Sequence, residues 1–292
     1  SPTGKIHAFS DDADGFVRSD GAGMLVLKRV SDALADGDTI LAVIKGSAIN
    51  SDGHSNGLTA PNPEAQVDVL QRAYADAGVD PSQVDYVEAH GTGTILGDPI
   101  EATALGAVLG ANRTPATPTL LGSAKTNFGH TESAAGAAGL IKVVLAMQHN
   151  VLPPSLNFTE PNRYINFDAE HLEVVADPRE WPEYSGTKLA GVSGFGFGGT
   201  NAHVVLSDFN PADYGPEAQP APAEPALAGA EVALPVSGLL PSRRAHLAAT
   251  LADFVTTLDD TDLPALARSV TRRNHARSRA VVLADTVAEA TK

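Results

Sequence analysis

Two histidines set in loops of small residues are the strongest candidates for chemistry in this 292-residue sequence: His90 in HGTGT and His130 in KTNFGH. Taken singly, a histidine near a strand end is more often a hydrogen-bonded core or surface group than a catalyst. Here the Gly and Thr neighbours of both histidines let a ligand approach the backbone closely. Two neutral imidazoles together could then donate hydrogen bonds to a developing oxyanion. Lys125 opens the second of these loops, and a third loop, GFGFGGTN, brings Phe195 and Phe197.

Several other chemistries are disfavoured. The sequence has no cysteine, hence no thiolate zinc site, disulfide or cysteine nucleophile. No HExxH occurs and no histidines stand at ligand spacing, so no metal site is expected. DDADG resembles the start of a calcium loop, but with Gly15 sixth the twelfth position is Gly21, where a bidentate Glu is required. GFGFGG lacks the G-x-G-x-x-G register and no GxxxxGK[ST] is present, against dinucleotide or P-loop phosphate binding. A net charge of -15 opposes broad affinity for nucleic acid or anionic membranes. The basic run TRRNHARSR is short and lacks interleaved aromatics, so it reads as a solvated or docking face. No apolar run reaches the roughly 18 residues of a membrane span, and the first residues lack a signal-peptide pattern. A cytoplasmic location is therefore expected.

The elements that must position these loops follow from apolar periodicity. Gly21–Val30 and Leu41–Ala48 are apolar on two faces, like buried strands of a layered α/β fold with a parallel or mixed sheet. Asn62 offers an N-cap and Pro63 a first helical residue, with Val67, Leu70, Tyr74 and Ala77 at helical spacing up to Gly78. Val84–His90 is a strand running into GTGT, and Asp98, Pro99 and Glu101 form a capping-box-like start to the next helix. Thr119–Lys125 repeats the pattern, leading through TNFGHTE into the helix SAAGAAGLIKVVLAM, whose small residues suit close packing. Leu189–Gly194 and Thr200–Leu206 are strands joined through FGFGG as a hairpin or tight crossover. All three polar loops lie at strand ends, where α/β folds usually place their sites.

A first domain over residues 1–208 is expected. A semi-rigid Pro/Ala-rich connector follows over 209–230, and a small, incomplete αβ module over 231–292. In that module EVALPVSG reads as a strand, RRAHLAATLADFVTTL as a helix and RAVVLAD as another strand.

The motifs are far more specific together than singly. ADGFVRSDGAGMLVLKR, GLTAPN, VEAHGTGTILGDPIE, AKTNFGHTESAAG and GFGFGGTNAHVVL occur in this order. From roughly Phe9 to Leu206 the sequence resembles the C-terminal half of a β-ketoacyl synthase (ketosynthase) domain, with its thiolase-like layered α/β fold. The remainder, with LPVSG and TRRNHARSRAVVLA, is similar to the module that joins ketosynthase to acyltransferase in type I polyketide synthases.

The resemblance implies an acyltransferase: decarboxylative Claisen condensation of an acyl thioester with a malonyl-type thioester. Its substrates ride on the phosphopantetheine of an acyl carrier protein, and no cofactor or metal is bound directly. It assigns His90 and His130 to the catalytic pair that hydrogen-bonds the malonyl thioester carbonyl and stabilises the enolate. Lys125 and Glu132 become an ion pair that positions the loop and tunes the imidazole. Thr92 and Thr94 hold the phosphopantetheine arm. Phe195 joins the substrate-binding set with Phe197, a gating residue whose backbone N–H helps to build an oxyanion hole. The family's nucleophile is a Cys at a helix N-terminus, in the half that these residues lack. The chain alone is thus expected to be inactive, and its unpaired strand edges to favour aggregation. The implied partners are an acyl carrier protein, an adjacent acyltransferase domain and a second copy in a homodimer. Alternatives are a nucleophile-less relative acting as decarboxylase or chain-length partner, a fatty-acid elongation enzyme of the same fold, and a non-catalytic docking fragment.

Overall fold

The computed structural model describes residues 1–53, 61–214, 231–271 and 276–291. The chain divides into two compact units, Ser1–Ala218 and Gln219–Lys292. The expected connector lies outside the described residues from 215 onward, as do residues 57–60 of GLTAPN and 272–275 of the basic run.

The first unit begins with turns and irregular chain leading into helix α1 (Val30–Asp36). The strand expected over Gly21–Val30 is absent: residues 21–29 have no ladder partner among the described residues, and Met24 and Val26 are 89% and 93% exposed. The reason is that a strand is completed by pairing, since its N–H and C=O groups need a neighbour whatever the side-chain pattern. The second expected strand forms as β1 (Val43–Ser51). Helix α2 (Pro63–Ala77) starts and stops as its sequence predicts. The Asn62 side chain accepts from the N–H groups of Glu64 and Ala65, and Gly78 closes the helix in the left-handed region at φ 61°.

Then follow β2 (Tyr86–Glu88), α3 (Gly97–Leu109), β3 (Thr119–Gly122), α4 (Lys125–Phe128), α5 (Ala135–His149), β4 (Val151–Leu152), α6 (Phe167–Glu170), β5 (Leu172–Val174), β6 (Arg179–Glu180), β7 (Leu189–Phe195) and β8 (Thr200–Ser207). Six strands form a mixed sheet in the order β1-β8-β7-β2-β3-β5. β1, β8 and β7 pair antiparallel, while β7, β2, β3 and β5 pair parallel. The short strands β4 and β6 pair separately.

The alternation of side chains along the strands builds two cores. Val87, Leu121 and Val205 pack with Val69, Leu70 and Leu105 of α2 and α3. Tyr86, Leu120, Ala190 and Leu206 pack with Val143, Ala146 and Met147 of α5. The sheet is therefore covered on both faces, which explains why its strands read as continuous apolar runs. Where β1 meets α2, contact is backbone to backbone: a Cβ on Gly46 would lie 2.6 Å from Ala77 Cα and 2.8 Å from the Asp76 carbonyl carbon. Gly46→Ala should thus force the layers apart and cost about 1–3 kcal/mol, read as a lower urea midpoint at unchanged slope.

The second unit pairs β9 (Val232–Gly238) antiparallel with β10 (Ser278–Ala284), with helices α7 (Pro241–Val255), α8 (Leu263–Thr271) and α9 (Val287–Ala290). The strand, helix and strand read from sequence are present. The short amphipathic α8 and the single-turn α9 escape that reading.

Candidate functional site

Three loops meet at the ends of β7, β2 and β3, adjacent strands of the four that run parallel. The loop after β2 carries His90 and turns on Gly91 and Gly93, at φ 39° and 73°. Side chains at these glycines would also collide: a Cβ on Gly91 would stand 2.8 Å from Ser123 Cβ, and one on Gly93 3.0 Å from the His7 backbone nitrogen.

The expected capping box is replaced by a different use of the same residues. The N-cap of α3 is Leu96, which offers no side-chain acceptor. The carboxylates instead reach back into the glycine loop, whose N–H groups have no secondary-structure partner. Glu101 accepts from the His90 and Gly91 N–H groups at 2.7 and 2.8 Å. Asp98 accepts from Gly93, Thr94 and Phe9 at 3.1, 3.3 and 2.7 Å. Burial pushes the Glu101 and Asp98 carboxyls up to about 7 and about 6, against the downward pull of these hydrogen bonds.

The two imidazoles come together, with ring centroids 5.7 Å apart and planes inclined by 81°. Each is oriented by a backbone donor. Phe195 N–H donates to His90 Nδ1 at 3.3 Å, and Glu132 N–H to His130 Nδ1 at 2.9 Å. A nitrogen that accepts from a backbone N–H cannot itself carry a proton, so each neutral ring must be protonated at Nε2. Both Nε2–H groups lack a hydrogen-bond partner among the described residues, and both rings line one cavity. Burial, then the positive charge of Lys125, lowers the pKa of each ring, that of His90 well below the ordinary value. The pair is thus held neutral, with two free donors.

Lys125, at the start of α4, is buried and faces the carboxylates of Glu88, Glu101 and Asp98. The expected ion pair with Glu132 does not form. Glu132 points outward and pairs with Arg18, Nε to Oε1 2.8 Å, and its service to His130 comes from its backbone N–H. The physical reason is competition: Arg18 holds the Glu132 carboxylate at the half-exposed surface, while the buried charge of Lys125 is met inside by Glu88, Glu101 and Asp98.

Of the three buried carboxylates around Lys125, Glu88 is the one that the sequence pattern alone does not single out. It accepts from Ala124 N–H at 2.5 Å, Tyr86 OH at 2.7 Å and Lys142 Nζ at 2.7 Å, so it ties the end of β2 to the loop bearing Lys125. Gly139 of α5 makes room for it, as a Cβ there would lie 2.9 Å from Glu88 Cγ. A signal is nonetheless present, since a carboxylate amid the apolar run VDYVEA needs a buried partner.

The cavity measures about 430 Å³ and is lined by His90, His130, Thr92, Thr94, Phe195 and Phe197, among others. All the expected site residues except Lys125 border it, Glu132 by its rim. The Thr92 and Thr94 hydroxyls stand 3.4 Å apart. Phe195 is half-buried against His90, with ring centroids 5.6 Å apart. Phe197 is 77% exposed, and its backbone N–H has no partner among the described residues. Phe16, also absent from the expected set, packs edge-on against His130 at 5.5 Å. Among the described residues no cluster of three potential metal ligands occurs, and no helix is long and apolar enough to cross a membrane.

The chain is 54% identical over 279 residues to a phenolphthiocerol/phthiocerol polyketide synthase polypeptide of Mycobacterium tuberculosis, covering 96% of this chain and 14% of that protein. It is 46% identical over 291 residues to the spectinabilin polyketide synthase system protein NorA of Streptomyces orinoci, covering 99% and 15%. It thus spans about one seventh of the length of these relatives. The ketosynthase from module 6 of the bacillaene synthase of Bacillus subtilis 168 superposes with a TM-score of 0.81 at 39% identity, over 100% of this chain and 49% of that one. The oxazolomycin ketosynthase domain OzmH KS7 of Streptomyces albus JA3453 gives 0.82 at 34%, with the same coverage. These neighbours carry the layered, thiolase-like α/β fold expected from the motifs. Three family models match in succession: the β-ketoacyl synthase N-terminal domain over residues 1–33, its C-terminal domain over 41–159, and the ketoacyl-synthetase C-terminal extension over 161–280. The chain belongs to the β-ketoacyl synthase family.

Proposed function

We propose that this chain forms the decarboxylating half of a ketosynthase active site in a multidomain polyketide synthase, where it takes part in carbon–carbon bond formation for a polyketide or complex lipid. The observation that carries the reading is the pair of neutral imidazoles, each fixed by a backbone N–H on Nδ1 and each offering Nε2–H to one cavity. Two such donors suit a malonyl-type thioester. As its C–CO2⁻ bond breaks and CO2 leaves, the electron pair moves onto the thioester oxygen, where both N–H groups stabilise the enolate. The enolate carbon then attacks an acyl thioester, expelling its thiolate and leaving a β-ketoacyl product. Thr92 and Thr94 hold the phosphopantetheine arm of an acyl carrier protein, and the unpartnered Phe197 N–H contributes to the second oxyanion site. Burial, helped by the charge of Lys125, keeps the imidazoles neutral.

The acyl-bearing nucleophile of this reaction is a cysteine outside these 292 residues, which contain none, so the chain by itself is inactive. The unpaired, apolar segment over residues 21–29 belongs with the sheet of the N-terminal domain, whose family model ends within a few residues of it. An acyltransferase domain beyond the second unit and a homodimeric assembly complete the picture.

The test is an assay of the chain completed by a ketosynthase N-terminal domain in one polypeptide, supplied with acyl and malonyl carrier-protein thioesters. CO2 release and condensation product are expected for the wild type, and neither for the double variant His90→Ala/His130→Ala. An unaffected double variant would overturn the assignment. Decarboxylation without condensation in the wild type, with a cysteine present in the added domain, would overturn the condensing role and leave a decarboxylase or chain-length partner.

A further inference from the structure

Glu88 and Lys142 form an ion pair inside the first unit that the proposed reaction does not use. Lys142 Nζ stands 2.7 Å from Glu88 Oε2, and the two side chains are 11% and 3% exposed. Exchanging a buried pair of this kind for apolar side chains of similar volume is often neutral or stabilising, because each charge gives up its water on burial. Stability alone therefore gives no account of the pair.

Three segments meet at the Glu88 carboxylate, and each leads to a residue of the candidate site. Glu88 itself ends β2, just before His90. Its Oε1 accepts from the N–H of Ala124, the residue before Lys125, at 2.5 Å. Its Oε2 accepts from Lys142 Nζ and from Tyr86 OH, both at 2.7 Å, and Lys142 Nζ also donates to that hydroxyl at 2.8 Å. Lys142 belongs to α5, the helix that follows the His130 loop. The backbone leaves room for the arrangement: a Cβ on Gly122 would run into Tyr86 OH and stand 3.3 Å from Lys142 Nζ. Beside Ala124, the Ser123 hydroxyl donates to the Gly91 carbonyl at 2.9 Å, which ties the same turn to the His90 loop.

We propose that Glu88 and Lys142 act as one positioning clamp, which sets His90, His130 and Lys125 in their places relative to one another without touching substrate. This rests on reading the cavity as the condensing site. Two donors serve one oxyanion only when both are held at the right spacing. The loops that carry them turn on glycines beside each histidine, Gly91 at φ 39° and Gly129 at φ 87°, and glycine backbone holds no position by itself. The fixed points must come from outside the loops, and the clamp gives all three segments one in common.

The chain completed by a ketosynthase N-terminal domain carries the test, with decarboxylation of a malonyl pantetheine thioester and urea unfolding measured side by side. In Glu88→Gln the one carboxamide oxygen turns to the Lys142 ammonium and leaves Ala124 N–H facing an NH2 group. Lys142→Met removes the tie to α5. Each variant is expected to lower kcat about tenfold with KM within about twofold, the mark of displaced transition-state donors with binding intact. Because the two residues act as a unit, Glu88→Leu/Lys142→Met should lose no more than the worse single variant. The double variant leaves no buried charge of the pair alone, so it serves if a single variant folds badly. Asp85→Asn is the control for lost stability. Asp85 stands at the other end of β2 and accepts from Trp181 Nε1 at 2.7 Å and from the N–H groups of Tyr184 and Leu189 at 2.8 Å. Its variant should lower the urea midpoint with kcat unchanged. An unchanged kcat in the clamp variants, losses that multiply in the double variant, an effect confined to KM, or an equal kcat loss in Asp85→Asn would overturn the proposal while leaving the condensing site standing. A wild type that releases no CO2 would remove the condensing reading and this one with it.

Discussion

His90→Asn and His130→Asn should each lower malonyl-thioester decarboxylation by about 10²–10³, the usual loss when one oxyanion donor is removed. Glutamine at either position should retain more activity than asparagine. An asparagine amide ends near the place of Nδ1, which in both rings is occupied with accepting from Phe195 or Glu132 N–H, while glutamine reaches the place of Nε2, where the free donor stands. If asparagine and glutamine were equally damaging, the donor role of Nε2 would be wrong. The wild-type pH profile carries a second consequence. Protonation would put a hydrogen on Nδ1 facing a backbone N–H, so the imidazolium is disfavoured by geometry as well as by burial and by Lys125. Activity should therefore persist as pH falls through the ordinary histidine value of about 6.5 and be lost only below it. An acid limb centred at or above that value would contradict a pair held neutral.

The sequence is most informative where local chemistry alone decides the outcome. The start of α2 needs only Asn62, Pro63 and Gly78, all within one segment, and it forms where those residues put it. His90 and His130 stand out because Gly and Thr around a polar ring have few purely structural uses, and the order of the motifs points to the family. What escapes depends on partners distant in sequence. Residues 21–29 have strand chemistry, but pairing is a property of a neighbour and not of the segment. Glu132 fits the expected acidic position by proximity to His130, yet Arg18, 114 residues earlier, takes its carboxylate. Glu88 fills the buried acidic role through Lys142 and the hole left by Gly139, a three-part arrangement spread over two elements. Glu101 reads as a helix-start residue, and its true partners, the loop N–H groups before the helix, become apparent only once the glycine turn is folded.

Glu101→Gln is expected to destabilise the first unit by about 2–3 kcal/mol and to disorder the His90 loop with it. Both carboxylate oxygens are committed, one to His90 N–H and one to Gly91 N–H. A carboxamide can accept only once in that geometry, and its NH2 group would face the other buried N–H, leaving a donor unpaired. The same site gives a pH signature that runs opposite to that of a paired surface carboxylate. Because burial raises the folded pKa from 4.5 to about 7, the native chain binds more protons than the unfolded chain across that window. Stability from this group is complete below about 4.5 and is lost as pH rises to about 7. Asp98, raised from 3.8 to about 6, acts in the same direction but is spent by about pH 6. Urea unfolding between about pH 6 and pH 7.5 therefore reads Glu101 from the difference between two proteins: the neutral-held His90, His130 and His203 add stability with rising pH equally in both, and the wild type should gain less, or lose more, than Glu101→Gln. Parallel pH dependences in the two proteins would mean that Glu101 is already ionised throughout, held by its two backbone donors more firmly than burial opposes them.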